Sequence, residues 1–174
     1  MRKPFLIILD GPMGSGKSTV AQLLQKRIKE KTALISLDKL KRIVSNYKLD
    51  SYEHLRLAAK AGASMTNLYL KEGIDVIVEK AFIKEEFLKS FVNSIKTKSK
   101  IFIYQIEVPF DIGLSRIKER EKLKEKGIPK NKLKEKVTRN YSHYNRFKYG
   151  KAKVFDSSKL TPRKIVNKIL KEIK

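Results

Sequence analysis

The sequence contains no cysteine and no tryptophan, and its acidic residues number fewer than half of its basic ones. Without cysteine the chain forms no disulfide and offers no thiolate to a metal ion, which is compatible with a reducing cytosol. No stretch approaches the roughly 18 apolar residues of a membrane-spanning helix. The five-residue run FLIIL near the N-terminus leads into Asp10 and a glycine-rich turn, with no cleavage-like site. We therefore expect a soluble, cytoplasmic protein without a membrane segment.

The shortage of acidic residues leaves a formal net charge of +23, which is unevenly distributed. Residues 1–115 carry 20 basic and 12 acidic side chains, net +8, whereas residues 116–174 carry 21 and 6, net +15. A basic field of this size attracts polyanions and speeds their encounter. Two interpretations stay open: a nucleic acid is the substrate or partner, or the lysines form only a solvated surface. The oligomeric state is not indicated.

Five short apolar runs alternate with amphipathic segments along the chain. The first four runs lack regular polar alternation, as expected of strands that are covered on both faces. The segments between them repeat apolar residues at helical spacing. This alternation predicts an α/β fold with a five-stranded parallel sheet flanked by helices, in one domain over residues 1–174. The predicted strands are Phe5–Leu9, Ala33–Leu37, Ile74–Val78, Ile101–Ile106 and Ala152–Phe155, and the predicted helices include Thr19–Lys29, 53–72 and 84–96.

The second half of the chain contains a strongly charged stretch, residues 119–136, which is interrupted by Gly127-Ile128-Pro129. This composition predicts a mobile, basic helical hairpin outside the core, a lid at about residues 116–136. Residues 139–149 then interleave aromatic and basic side chains. Stacking of the aromatic rings on nucleic-acid bases is one interpretation. Packing of a helix onto the core is favoured, because apolar residues recur at helical spacing; these are Leu133, Val137, Tyr141 and Tyr144.

Residues 11–18 read GPMGSGKS and match the phosphate-binding pattern G-x-x-x-x-G-K-[ST] in full. An apolar run precedes the pattern and an amphipathic segment follows it, as the motif requires. Its glycines allow backbone N–H groups to face phosphates, and the helix N-terminus adds partial positive charge. The motif predicts binding of ATP with Mg²⁺, where Lys17 reaches the β and γ oxygens and Ser18 ligates the metal. The predicted nucleotide-binding residues are Gly11, Met13, Gly14, Ser15, Gly16, Lys17, Ser18 and Thr19.

The class of nucleotide enzyme depends on what surrounds this loop. The D-x-x-G and N-K-x-D motifs of GTPases are absent, and the third run ends in the single Glu79 rather than in paired acidic residues. Asp38 follows the second run, at the edge where parallel sheets bind ligands. An aspartate there accepts the proton of an attacking hydroxyl, although Asp38 is also placed to cap a helix over Lys39–Tyr47. The pattern favours a kinase with Asp38 as base or acceptor-orienting carboxylate.

Other charged residues are weaker candidates. Glu79 is predicted to hold Mg²⁺ through water or to bind the acceptor, and pairing with a nearby lysine is the alternative. Arg116 and Arg120 are four residues apart, so they share a helix face. We expect them to neutralise charge on the transferring phosphoryl group, the alternative being ordinary surface arginines. His54 and His143 have no partner at catalytic or metal-ligand spacing.

Four segments, GPMGSGKS, LISLD, DVIVEKAF and QIEVPFDIGLSRIKER, resemble small P-loop kinases that include polynucleotide 5′-kinases, zeta toxins and chloramphenicol phosphotransferase. The resemblance covers residues 5–170 and implies a nucleoside-kinase-like fold with a helical lid. It implies that Asp38 is the general base, that Glu79 replaces a more usual Asp, and that the two arginines belong to the lid. It also implies that Ser157 to Thr161 line the adenine. Lys41 and Arg42 stand near the family's Asp-x-x-Arg, so the acceptor-binding candidates are Asp38, Lys41, Arg42 and Glu79.

Three functions remain open at this point. The first is an ATP-dependent kinase whose acceptor is a nucleic-acid hydroxyl, with a 5′-OH end as the best candidate. The second is a small-molecule kinase that acts on a nucleoside, a nucleotide, a nucleotide sugar or another alcohol. The third is an ATP-dependent nucleic-acid-binding module that transfers phosphate to no acceptor.

Overall fold

The computed structural model describes residues 2–46, 52–82, 84–122, 129–144 and 149–173. The strands of the described residues are β1 (Phe5–Asp10), β2 (Thr32–Ser36), β3 (Asp75–Lys80), β4 (Lys100–Glu107) and β5 (Lys153–Asp156). The helices are α1 (Lys17–Arg27), α2 (Leu37–Lys41), α3 (Tyr52–Lys71), α4 (Glu85–Asn93), α5 (Phe110–Lys122), α6 (Lys130–Tyr144) and α7 (Pro162–Ile173). All strand pairs are parallel, in the order β2-β3-β1-β4-β5. The predicted fold class is confirmed.

The central strand β1 explains why the apolar runs lack polar alternation. Successive side chains of a strand point to opposite faces of the sheet. Phe5, Ile7 and Leu9 join the cluster that α1 and α7 cover, whereas Leu6 and Ile8 join the cluster under α3 and α4. Every residue of β1 is buried. A strand covered in this way has to be apolar at each position except where its carboxyl end meets a polar site.

The boundaries after β2 differ from the prediction. Leu37 begins α2 instead of ending the strand, and it packs into the cluster under α3 and α4. The predicted helix over Lys39–Tyr47 is wrong in its bounds: α2 ends at Lys41, and Tyr47 lies outside the described residues. Helix α3 agrees with its predicted span to within one residue and ends before Gly73, whose φ of 74° suits glycine at a helix C-terminus.

The predicted lid is a helical hairpin of α5 and α6, and its connection at 123–128 lies outside the described residues. The prediction that residues 119–136 lie outside the core is wrong for Leu133, which is 2% exposed. The predicted packing of Leu133 and Val137 is confirmed, since Val137 is 0% exposed. They pack with Leu114 and Ile117 of α5 in a core of their own. Lys132, Lys134 and Arg139 of α6 are exposed, so overall composition concealed a narrow apolar stripe. Mobility of the lid stays a prediction.

Within the described part of the chain, no helix combines the length and the apolar character that crossing a membrane requires.

Candidate active site

The loop between β1 and α1 has the backbone that its glycines predict. Gly14 and Gly16 have φ values of 78° and 85°, where a side chain would be strained. Gly14 also contacts the lid, because a Cβ there would lie 2.4 Å from the carbonyl oxygen of Gly113 in α5. Gly16 is the N-cap residue of α1, so the loop leads directly into a helix N-terminus, where partial positive charge favours an anion.

Two buried side chains of the loop have features that a phosphate group would complement. Lys17 is only 8% exposed, and its Nζ donates a 3.3 Å hydrogen bond to the carbonyl oxygen of Pro12. Burial lowers the pKa of Lys17, while the negative charges of Glu79, Asp38 and Asp10 raise it. The buried Ser15 Oγ has no hydrogen-bond partner among the described residues. A bound phosphate would supply both a counter-charge and an acceptor.

Glu79, at the end of β3, is hydrogen-bonded by two serines. Ser18 Oγ donates a 2.8 Å hydrogen bond to Glu79 Oε2, and Ser36 Oγ donates one of 2.6 Å to Oε1. No group of three or more His, Cys, Asp or Glu side chains in the described ranges is arranged to hold a metal ion alone. Mg²⁺ usually takes one or two protein groups and completes its shell with phosphate oxygens and water. The Ser18 and Glu79 oxygens fit that pattern.

Asp38 lies in the first turn of α2, directly after β2, and its Oδ1 accepts a hydrogen bond from Lys80 at the end of β3. The alternative that Asp38 is the N-cap residue is wrong, because Ser36 occupies that position in α2. Burial raises the pKa of Asp38, but the Lys80 ammonium and its hydrogen bond outweigh this effect and hold the pKa below its ordinary value. Asp38 is therefore ionised at neutral pH and lies within electrostatic reach of Lys17.

The other two acceptor candidates, Lys41 and Arg42, lie at the end of α2. Lys41 is 8% exposed and has an interaction partner. Arg42 is exposed, and its charge contributes to the lowered pKa of Asp38. Arg42 thus faces solvent within electrostatic reach of Asp38, whereas Lys41 is buried.

The two lid arginines have different surroundings. Arg116 donates to the carbonyl oxygen of Gly14 at 3.3 Å and to Ser157, at 3.0 Å to Oγ and 2.8 Å to the carbonyl oxygen. It therefore connects the glycine loop to the turn after β5, where the family resemblance implies the adenine. Arg120 is 59% exposed, and its Nε lies 4.0 Å from Glu121. The structure brings Arg116 to the loop and leaves Arg120 exposed one turn further along α5.

Helix α6 contacts the glycine loop directly. The helical spacing of its apolar residues did not indicate this contact. The N–H of Met13 donates to Asn140 Oδ1 at 2.8 Å, and the carbonyl oxygen of Met13 accepts from Tyr141 Oη at 2.9 Å. Tyr144 Oη donates to the buried carboxylate of Asp10 at 3.2 Å. The predicted packing of Tyr141 and Tyr144 is confirmed. Residues 145–148 lie outside the described residues.

Met13 and Thr19 are two of the predicted nucleotide-binding residues. The N–H of Met13 is already hydrogen-bonded to Asn140, and the side chain of Thr19 is exposed.

Sequence reasoning missed Lys80 and Asp10. Lys80 is the residue after Glu79 and is only 8% exposed, which is rare for a lysine without a buried partner. Asp10 ends a wholly apolar strand and is 0% exposed. The signal available for both was a charged residue at the carboxyl end of a buried strand, beside the predicted site.

A largely apolar cavity of about 190 Å³ lies beside Asp38, between α3, α4 and the end of β3. Its lining includes Leu37, the residue before Asp38, and Lys80, which is hydrogen-bonded to Asp38. Its aromatic lining forms two ring pairs, at centroid distances of 5.5 and 5.7 Å; these are Tyr52 with Phe87 and Phe82 with Phe91. Arg56 and Lys60, four residues apart on α3, are exposed and also line the cavity. The volume is smaller than the roughly 300 Å³ of a site for a drug-sized ligand, so it fits a single ring.

Solved structures with this fold include several whose names describe kinases. A chain of the Pnkp1/Rnl/Hen1 RNA repair complex is 23% identical with a TM-score of 0.66, covering 86% of this chain and 48% of that chain. The present chain thus spans about half the length of that chain of the RNA repair complex. A sugar kinase from Janibacter sp. HTCC2649 is 12% identical with a TM-score of 0.71, covering 99% and 95%. The tunicamycin resistance protein of Deinococcus radiodurans is 16% identical with a TM-score of 0.69, covering 99% and 96%.

At these identities the solved structures establish the fold alone. No curated protein sequence matches the chain significantly. The family model named zeta toxin matches residues 1–161, which includes the glycine loop, Asp38, Glu79 and both lid helices. The predicted resemblance to P-loop kinases is thereby confirmed, and the chain belongs to the zeta toxin family.

Proposed function

We propose that the protein is an ATP-dependent kinase that transfers the γ-phosphate of ATP to a hydroxyl group. The observation that carries this proposal is the convergence of three strand ends on one point. Lys17 and Ser18 follow β1, Asp38 follows β2 and Glu79 is the last residue but one of β3. Ser18 is hydrogen-bonded to Glu79, and Asp38 lies within electrostatic reach of Lys17. A cation, a metal-binding pair and an ionised carboxylate together supply what phosphoryl transfer to an alcohol requires.

In this mechanism the glycine loop and Lys17 bind the triphosphate, and Asp38 orients the acceptor hydroxyl. Lys80 contacts Asp38 Oδ1, and within the described residues the other carboxylate oxygen, Oδ2, has no hydrogen-bond partner. The acceptor oxygen bonds to the γ-phosphorus as the bond to the β-phosphate oxygen breaks, and Asp38 takes the hydroxyl proton. The products are ADP and a phosphate ester. Mg²⁺, held through Ser18 and Glu79, would neutralise phosphate charge when bound with ATP.

The preferred acceptor is the 5′-OH end of a polynucleotide. The aromatic cavity beside Asp38 suits the face of one nucleobase. In the part of the chain that the structure describes, Arg56 and Lys60 form no ion pair with a carboxylate, so they are available to a phosphate. The net charge of +23 favours the approach of such a polyanion.

The single-ring size of the cavity also suits a small acceptor, such as a nucleoside or the sugar of a nucleotide sugar. The two kinase hypotheses share the catalytic groups and differ in what extends beyond the cavity. Transfer of labelled γ-phosphate to a 5′-OH oligonucleotide, compared with transfer to a mononucleoside and a nucleotide sugar, distinguishes them. Labelling of the small acceptors alone rejects the polynucleotide. Release of free phosphate with no acceptor labelled favours the nucleic-acid-binding ATPase.

A further inference from the structure

The carboxylate of Asp10 lies at the junction of four separate parts of the fold. It is 0% exposed. Its Oδ1 accepts hydrogen bonds of 2.8 Å from the backbone N–H of Gly11 and of 2.8 Å from that of Phe82. Its Oδ2 accepts from Gln105 Nε2 at 3.0 Å and from Tyr144 Oη at 3.2 Å. Both oxygens are thus fully used as acceptors.

Three of these partners belong to the parts of the fold that the proposed reaction has to align. Gly11 begins the glycine loop, and Phe82 lines the acceptor cavity. Tyr144 ends the lid helix α6, and Gln105 lies in β4, the neighbouring strand. A buried carboxylate is costly unless it is well hydrogen-bonded. No ion pair to Asp10 occurs within the described ranges. Burial raises the pKa of Asp10, and its hydrogen bonds and the field of Lys17 oppose that rise without cancelling it.

Helix α6 adds two further contacts to the same loop, one turn before Tyr144. Asn140 and Tyr141 together engage the N–H and the carbonyl oxygen of Met13. The loop is therefore held at its first residue through Asp10 and at its third residue through α6.

We propose that Asp10 is a positioning residue that fixes the glycine loop in register with the acceptor cavity and the lid helix α6. This inference rests on the proposed kinase activity. Asp10 touches neither reactant and acts through the amide of Gly11, the amide of Phe82 and the hydroxyl of Tyr144.

Asp10→Asn tests this role with minimal change in shape. The new side-chain carbonyl retains the bonds to Gly11 and Phe82, but the new NH₂ group faces the NH₂ group of Gln105. Gln105 is held in this orientation, because its Oε1 accepts a 3.2 Å hydrogen bond from the N–H of Tyr149. A misplacement of about 1 Å costs roughly 100-fold in rate, so we expect kcat for transfer to fall about 10- to 100-fold. Affinity for ADP should change little, and a larger fraction of turnover should release free phosphate.

The double variant Asp10→Asn/Gln105→Glu exchanges amide and carboxylate. The carboxylate introduced at position 105 would accept from the NH₂ group introduced at position 10 and from the N–H of Tyr149. It would also accept from the hydroxyl of Tyr144, which already interacts with Gln105. Gln105→Glu alone sets two buried carboxylates against each other and should impair folding. We expect the double variant to recover most of the lost kcat and the wild-type ratio of transfer to hydrolysis.

Asp75→Asn provides the matched control. Asp75 is also 0% exposed and accepts a 3.0 Å hydrogen bond from the N–H of Phe5, but it lies at the opposite end of the sheet. This variant should lower thermal stability and leave the ratio of transfer to hydrolysis unchanged. A folded Asp10→Asn protein with wild-type kcat and ratio overturns the proposal. Recovery of thermal stability without recovery of kcat in the double variant also overturns it, because the role is then structural only.

The amide ¹H–¹⁵N shifts of Met13 and Phe82 in the ADP complex separate this inference from the kinase proposal. If the wild type labels no acceptor, the kinase proposal fails. The positioning role then requires that Asp10→Asn changes the chemical shifts of both amides and that the double variant restores the wild-type shifts. Unchanged shifts in Asp10→Asn reject it whatever the activity.

Discussion

Ser18, the last residue of the glycine loop, donates a 2.8 Å hydrogen bond to Glu79, which lies 61 residues further along the chain. This contact exists because β1 and β3 are neighbours and Leu9 pairs with Glu79 in the parallel register. Ser18 lies in the first turn of α1 above the end of β1, so the two oxygens meet where a nucleotide-bound cation is expected.

Glu79→Gln should raise the Mg²⁺ concentration needed for half-maximal activity by about 10-fold. Changing a residue that orients or holds a metal typically lowers metal affinity or activity 10- to 100-fold. Titration of phosphate transfer with Mg²⁺ at saturating ATP measures the effect. Ser36→Ala is the control, because it removes a hydrogen bond to Glu79 and keeps the one from Ser18. The same Mg²⁺ dependence in Glu79→Gln and wild type would remove Glu79 from the site.

The ion pair of Lys80 with Asp38 predicts how kcat/KM and stability depend on pH. Because the pKa of Asp38 is lowered in the folded protein, its protonation should inhibit kcat/KM only below about pH 3.9, the ordinary value. The stabilising contribution of the pair is likewise present above that pH and is lost as pH falls through the folded pKa. In Lys80→Met, burial still raises the pKa of Asp38, but the main opposing charge is gone. The acidic limb of the kcat/KM profile should therefore move to higher pH.

Lys39→Met is the matched control for this profile, because Lys39 is exposed on the same helix as Asp38 and is not among the groups that lower the pKa of Asp38. An acidic limb at the same pH in Lys80→Met and Lys39→Met would show that Asp38 is not the group that titrates.

Arg56 and Lys60 should bind a phosphate of a polynucleotide acceptor. The double variant Arg56→Gln/Lys60→Gln should raise KM for a 5′-OH oligonucleotide and reduce the slope of log KM against log salt by about two, one per lost phosphate contact. Lys164→Gln/Lys168→Gln, an exposed pair four apart on α7, should change neither quantity. Equal effects from both double variants would indicate general charge attraction instead of a defined contact.

Gly113→Ala should destabilise the junction between the lid and the glycine loop. A Cβ at Gly113 would lie 1.8 Å from Tyr141 Oη, the atom that donates to Met13. We expect the free energy of unfolding to fall by about 1–3 kcal/mol, as is typical of overpacking, measured by urea denaturation. Gly150→Ala is the control, since no atom lies within 4 Å of a Cβ there. Equal stability of the two variants would contradict the described packing.

The sequence predicted the features that depend on local pattern. The buried run at Phe5–Leu9, the glycine loop and the strand ends at Asp38 and Glu79 each follow from a few consecutive residues, and parallel topology then brings those ends together. Helical spacing likewise predicted that Tyr141 and Tyr144 pack.

What the sequence did not predict depends on distant partners. The hydrogen-bond partners of Asp10 lie 72, 95 and 134 residues away as well as next to it, and nothing in its neighbourhood specifies them. Lys80 carries only the general signal of a charged residue at the end of a buried strand, and its contact with Asp38 depends on the strand order. The helix bounds after β2 were wrong because Leu37, an apolar residue that suits a strand, packs equally well as the first residue of α2.

The transfer of labelled γ-phosphate from ATP to a 5′-OH oligonucleotide, in the wild type and in Lys17→Ala and Asp38→Asn, tests the proposed kinase activity most directly. We predict a labelled 5′ end with the wild type and at least about 100-fold slower labelling with either variant, since charge neutralisation and positioning supply most of the catalysis. Lys26→Ala, an exposed lysine of α1, should label as the wild type does. Wild-type labelling rates in Lys17→Ala, or a wild type that labels no hydroxyl acceptor of any class, would contradict the proposal.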